Sequence, residues 1–165
     1  NWLPQEVKKN LYIGSAYDAR NKQGLESLNI KHILTIEMAV RPPFPNEFNY
    51  KVVPALDIDT FNLKKYFAEC NSFIDDGRRS GGVLVHCGAG ISRSAAIVIA
   101  YLMYSRGISF IEAHDYLLKI RSISPNEGFQ TQLQQYEFEL MEQRELEKAL
   151  AQSTIDSTTT TTTTI

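Results

Sequence analysis

The stretch Gly82-Val-Leu-Val-His-Cys87-Gly-Ala-Gly-Ile-Ser-Arg93-Ser94 constrains this chain more than any other. An apolar run meets Cys87, passes two glycines to Arg93, and enters the apolar segment Ala95–Tyr104. That order spells a strand, a turn and a helix start. Helix starts bind anions, because their unpaired N–H groups and the positive end of the dipole point the same way. A strand feeding a helix in this manner also favours an α/β sheet, with the Cys87 loop at the carboxyl end of a strand, where such sheets take ligands.

The remaining segments support that layout. Leu11-Tyr-Ile13, closed by Gly14, reads as a short strand, as do Lys31–Ile36 and Tyr50–Val53. The opening Asn1–Asn10 carries Trp2, Leu3 and Val7, enough to dock a terminal segment on the core. Ser15–Ile30 suggests one or two short helices with Gly24 as a break, and Arg41–Asn46 is a loop by its prolines. From Asn62 to Asp76, residues Leu63, Tyr66, Phe67, Cys70, Phe73 and Ile74 fall at helical spacing, the stripe of a core-facing helix that ends near Gly77. Cys70 lies in that stripe and is expected to be a packing thiol. Ser109 with Glu112, and Ser124 with Glu127, each form a capping-box pattern, with Pro125 expected at the first position of the second helix. The last helix runs through Leu133, Tyr136, Leu140 and Met141. One domain over residues 1–150 is therefore expected. Residues 151–165 form a Thr-rich, low-complexity tail with nothing to bury, and are expected to be disordered.

Charge and cysteine usage exclude several classes. The net charge is −2, which does not advertise nucleic acid or an acidic membrane surface as a partner. The longest apolar run is too short to cross a bilayer, and no charged-then-apolar leader is visible. Two cysteines make neither a disulfide framework nor a zinc site, so a reducing compartment, cytosol or nucleus, is expected, with no metal and no cofactor.

Three interpretations of the central loop compete. A buried cysteine beside a structural glycine turn explains the thiol but leaves Arg93 without a purpose. A dinucleotide fingerprint begins well at Gly88-Ala-Gly90, but its sixth position is Arg93, where close helix–strand packing needs a small residue. The phosphate loop of nucleotide hydrolases needs a terminal Lys-Ser/Thr, which is missing here. The third interpretation uses every unusual residue. Gly88, Ala89, Gly90, Ile91 and Ser92 curl so that their N–H groups form an anion nest. Those groups, the helix dipole and Arg93 stabilise negative charge on the Cys87 sulfur. The planar fork of Arg93 holds two phosphate oxygens, which a lysine could not do.

On these residues the chain resembles the cysteine-dependent protein tyrosine phosphatases, specifically the small dual-specificity members. The signature His86-Cys87-Gly-Ala-Gly-Ile-Ser-Arg93-Ser94 carries the likeness. It extends from about Leu11 to Leu140 and includes Leu11–Ser15, His32–Leu34, Tyr66-Phe67, Ala100–Met103, Ser124–Phe129 and Gln132-Leu133. The resemblance implies a central, mostly parallel sheet flanked by helices. It also implies hydrolysis of phosphotyrosine and phosphoserine/phosphothreonine in protein substrates through a phosphocysteine, without metal. Family members acting on phosphoinositides usually carry a lysine within the loop, and residues 88–92 contain none.

The same resemblance assigns roles. Cys87 attacks phosphorus while Arg93 and the loop N–H groups hold its oxygens. Ser94 hydrogen-bonds the sulfur and helps it leave, His86 orders the loop, and Asn126 matches a position that braces it. The general acid lies on Ala55–Leu63, where Asp57 matches the family position and Asp59 is the alternative. His32 and His114 are expected to be structural. A phosphate-binding adaptor without turnover is the competing function, and an inorganic-phosphate release assay separates the two.

Overall fold

The computed structural model describes residues 3–161, so Trp2 lies outside the described residues. Five strands form one sheet: β1 (Gln5–Lys8), β2 (Leu11–Gly14), β3 (Ile30–Ile36), β4 (Asn49–Val53) and β5 (Gly82–His86). Their order is β1-β2-β5-β3-β4. The pairs β2–β5, β5–β3 and β3–β4 are parallel, and only β1 runs antiparallel to its neighbour. The sheet is thus mostly parallel, as the family resemblance implied.

Strand β5 is central and buried along its whole length, which is why it reads as an unbroken apolar run rather than an alternating one. Alternation survives in which face each residue serves. Val83 and Val85 join Leu11, Ile13, Leu34 and Ile36 in the larger core, whereas Leu84 joins Tyr12 and Ile33 on the other face. The smaller side is covered by α1 (Ala16–Ala19) and α2 (Lys22–Ser27). The larger side takes α3 (Phe67–Arg78), α4 (Arg93–Arg106), α5 (Phe110–Ile120) and α6 (Glu127–Thr161). Helix α4 sits in the middle of this layer and is buried from Ser94 to Met103. A helix apolar all round has no solvent face to keep, and this fixes the Arg93 end rigidly beneath the end of β5. No helix among the described residues is long and apolar enough to cross a membrane.

Local signals hold in several places. Ser109 Oγ accepts from Glu112 N at 3.1 Å and the Glu112 carboxylate accepts from Ser109 N at 3.4 Å, a reciprocal cap on α5. Leu63, Phe67, Cys70 and Ile74 are buried along α3 and the single 3₁₀ turn before it. Burial pushes the Cys70 thiol up to about 12, so it packs as a neutral, apolar group.

Other expectations need correction. Residues 5–8 form an edge strand, hidden in the sequence because only Val7 of the four is buried. Gly24 lies inside α2 rather than breaking it, because the Asn21 side chain caps the helix at Gly24 N. Gly77 is likewise within α3, which ends at Arg78. The box expected at Ser124 and Glu127 does not form, and Pro125 precedes the helix. Asn126 caps α6 instead, its Oδ1 accepting from Phe129 N at 2.8 Å, while Ser124 N is drawn to Ile91 O at 2.9 Å.

Helix α6 continues through Ala151 to Thr161, into the Thr-rich segment. A polar composition prevents burial but does not prevent a helix already nucleated by Phe129, Leu133 and Leu140 from propagating. The hydroxyls of Thr154, Ser157, Thr158 and Thr159 each donate to the carbonyl four residues earlier.

Candidate active site

Cys87 follows the last residue of β5, with its side chain almost fully enclosed, 2% exposed. Arg93 opens α4. Between them the chain makes a tight loop whose carbonyls are each held from outside. Cys87 O meets His86 Nδ1 at 3.2 Å, Gly88 O accepts from Ala16 N at 2.9 Å, and Ile91 O accepts from Ser124 N at 2.9 Å. Arg121 serves two at once: Nη2 donates to Ala89 O and Nε to Gly90 O, both at 2.8 Å. In a trans peptide the C=O of one residue and the N–H of the next point in opposite directions. Outward carbonyls at residues 87–91 therefore turn the N–H groups of Gly88, Ala89, Gly90, Ile91 and Ser92 toward the inside of the loop. Gly90 carries a positive φ of 71°, a backbone state that an L side chain disfavours.

The guanidinium of Arg93 is partly fixed, with Nη1 donating to Ala55 O at 3.1 Å. Its Nε is buried without an acceptor among the described residues. Such an orphaned donor costs about 1–3 kcal/mol if nothing meets it, and an oxyanion seated in the loop supplies the acceptor. Ser94 Oγ lies 3.2 Å from Cys87 Sγ.

His86 is buried, and that burial holds its imidazole below its ordinary value and neutral. Its tautomer follows from its partners. Cys87 O can only accept, so Nδ1 carries the proton, and Nε2 accepts from the Thr35 hydroxyl at 2.8 Å. The ring thus ties Thr35 of β3 to the Cys87 carbonyl.

Asp57 and Asp59 are both exposed residues and differ in their contacts. Asp57 Oδ1 accepts from Ser92 Oγ at 2.7 Å and from Asn126 Nδ2 at 2.9 Å. Asn126 N in turn donates to Ser92 Oγ at 3.0 Å. Asp57, the phosphate loop and the start of α6 thus form one knot. With both donors on Oδ1, Oδ2 remains available for a proton. Asp59 has an exposed side chain, and what it brings to the knot is its backbone. A Cβ added at Gly128 would fall 1.9 Å from Asp59 O, so only glycine lets α6 approach this loop so closely. Gln132 fastens the same loop further along, accepting from Leu63 N and Lys64 N and donating to Phe61 O.

Three contributors escaped the sequence. Arg121 reads as an ordinary cation ending an amphipathic helix, Thr35 as one polar residue in a strand, and Gln132 as part of a matched motif without a task. Their partners lie 31 or more residues away, beyond any local pattern. His32 and His114 lie outside the site, bonded to Ser80 with Asn49 and to Asp115 respectively.

Comparison with known proteins agrees with this geometry. Residues 11–139 match the family profile "Dual specificity phosphatase, catalytic domain". Dual specificity protein phosphatase 1B of Arabidopsis thaliana is 48% identical over 134 residues, covering 80% of each chain. Dual specificity protein phosphatase 1 of the same plant is 46% identical over 137 residues, covering 82% of this chain and 69% of its own. Among solved structures, the human tyrosine phosphatase-like serine/threonine/tyrosine-interacting protein superposes with a TM-score of 0.81 at 35% identity, over 86% of this chain and 99% of its own. The likeness takes in every strand except β1 and every element that shapes the Cys87 loop, and by it the chain belongs to the dual specificity protein phosphatases.

Proposed function

We propose that the phosphatase chemistry of this family runs here through Cys87, Arg93, Asp57 and Ser94, in two balanced steps. In the first, the Cys87 sulfur attacks phosphorus, the bond to the substrate oxygen breaks, and Asp57 delivers its proton to that oxygen. The inward N–H groups and the Arg93 fork hold the equatorial oxygens as charge shifts on them. In the second, Asp57 takes a proton from water, the water oxygen attacks phosphorus, and the sulfur leaves as a thiolate stabilised by the Ser94 hydroxyl. His86 fixes the loop and moves no proton. Asn126 and Ser92 hold Asp57 over the site.

One observation carries this proposal: the buried Arg93 Nε without an acceptor among the described residues sits on the loop whose N–H groups face the same side as Cys87. Every group needed for both steps belongs to the chain, so the scheme calls for no metal or cofactor. The substrates are phosphorylated proteins, bearing phosphotyrosine and phosphoserine or phosphothreonine. A net charge of −2 gives no electrostatic pull toward nucleic acid or an anionic membrane. Two free thiols, Cys70 and Cys87, fit a reducing compartment, and we place the protein in cytosol or nucleus. The catalytic unit is residues 1–150, with α6 beyond that point adding no core residue among the described residues.

Purified protein is expected to release inorganic phosphate from both a phosphotyrosine and a phosphothreonine peptide. Release from the phosphotyrosine peptide alone would remove the dual specificity. Tight binding of both with no release would instead establish the phosphate-binding adaptor.

A further inference from the structure

We infer that Arg121 is a positioning residue for the phosphate loop, setting the direction of the peptide N–H groups that receive the phosphoryl oxygens. The inference rests on the Cys87 reading above. Arg121 follows α5 directly, and its backbone N–H still bonds Leu117 O as the chain leaves the helix. Its guanidinium spends three of its nitrogens on three different acceptors: Nε on Gly90 O, Nη2 on Ala89 O, and Nη1 on Gln5 Oε1 of the edge strand at 3.0 Å. The first two acceptors are consecutive loop carbonyls, and a planar fork is the side-chain shape that meets both at once. Pinning Ala89 O and Gly90 O outward turns Gly90 N–H and Ile91 N–H inward.

A second observation fits the same role. A Cβ at Gly90 would fall 2.5 Å from Gly14 O and 2.7 Å from Arg121 Nη2. The loop is therefore clasped between the end of β2 and the guanidinium with no space for a side chain. The fork is occupied by protein acceptors on the outside of the loop, which leaves it facing away from the reacting phosphate. Arg121 thus acts through the loop backbone and not by touching substrate.

Three measurements on Arg121→Lys and Arg121→Ala test this: kcat/KM on a small aryl phosphate, inhibition by orthovanadate, and thermal midpoint. Orthovanadate probes the loop alone, because it has no peptide to reach a distant subsite. A lysine keeps the charge but reaches only one carbonyl, so Arg121→Lys is expected to lose about 10-fold or more in kcat/KM on the aryl phosphate, with vanadate affinity falling in parallel. Wild-type values for both in Arg121→Lys would overturn the proposal. So would a loss seen only with a doubly phosphorylated peptide, which would make Arg121 a substrate subsite. A lowered thermal midpoint with unchanged vanadate affinity would reduce it to a packing residue. Should Arg121→Ala not fold, Arg121→Lys, which keeps the stem and the charge, decides alone. Cys87→Ser run beside them separates the two claims. An inactive Cys87→Ser with a normal Arg121→Lys overturns only the brace, whereas an active Cys87→Ser overturns the nucleophile.

Discussion

Cys87→Ser is expected to abolish turnover while leaving phosphate-ester binding largely intact. Serine places an oxygen where the sulfur stood, at the end of β5, and disturbs neither the outward carbonyls nor the Arg93 contact to Ala55 O. It replaces the sulfur nucleophile with a hydroxyl whose proton has no taker in the first step, where Asp57 must act as the acid. His86 cannot take that part, because its Nδ1 proton is committed to Cys87 O and its Nε2 to Thr35. A loss of about 10⁴-fold or more in kcat follows from removing a nucleophile that no neighbour replaces. Binding measured by retention of a phosphopeptide stays near the wild-type level. A variant that hydrolyses an aryl phosphate at the wild-type rate would move the nucleophile elsewhere.

The second large effect separates Asp57 from Asp59. Asp57→Ala is expected to cost at least about 10 times more rate on phosphopeptides than Asp59→Ala, within the range typical of general acid–base catalysis. The difference comes from placement, since Asp57 is held by Ser92 and Asn126 against the phosphate loop. Asp59, an exposed residue like Asp57, meets the start of α6 through its backbone carbonyl. The loss in Asp57→Ala should also shrink for aryl phosphates with acidic leaving groups, which need less help from a proton. Equal losses in the two variants, or the reverse order, would assign the acid to Asp59.

How far the sequence carries depends on how local each contact is. Strand β5, the Cys87 loop and α4 are legible because one continuous stretch holds all three, and its cysteine, glycines and arginine have few other uses together. The stripe on α3 is legible for the same reason, since four of its residues meet a common core at helical spacing. Strand β1 is not, because only Val7 of its four residues is buried, which leaves no visible alternation. The start of α6 misleads for a different reason. Ser124, Pro125 and Glu127 satisfy a local rule, yet Asn126 wins the cap because its backbone N–H and amide also serve Ser92 and Asp57. The choice between Asp57 and Asp59 is open in the sequence, where both stand on one short loop. Only the fold shows that the Asp57 side chain meets Ser92 and Asn126. Arg121 and Thr35 lie beyond sequence patterns altogether, since each is defined by a partner on another element.

The covalent bond between phosphorus and Cys87 is open to direct observation. Enzyme mixed with a radiolabelled phosphotyrosine peptide and quenched within a single turnover is expected to carry label on the peptide containing Cys87. The label should form at least as fast as steady-state turnover, and it should accumulate in Ser94→Ala, where the sulfur leaves more slowly for want of its hydroxyl partner at 3.2 Å. Full release of labelled phosphate with no labelled protein at any time, or label found on His86 or Cys70 in place of Cys87, would contradict it.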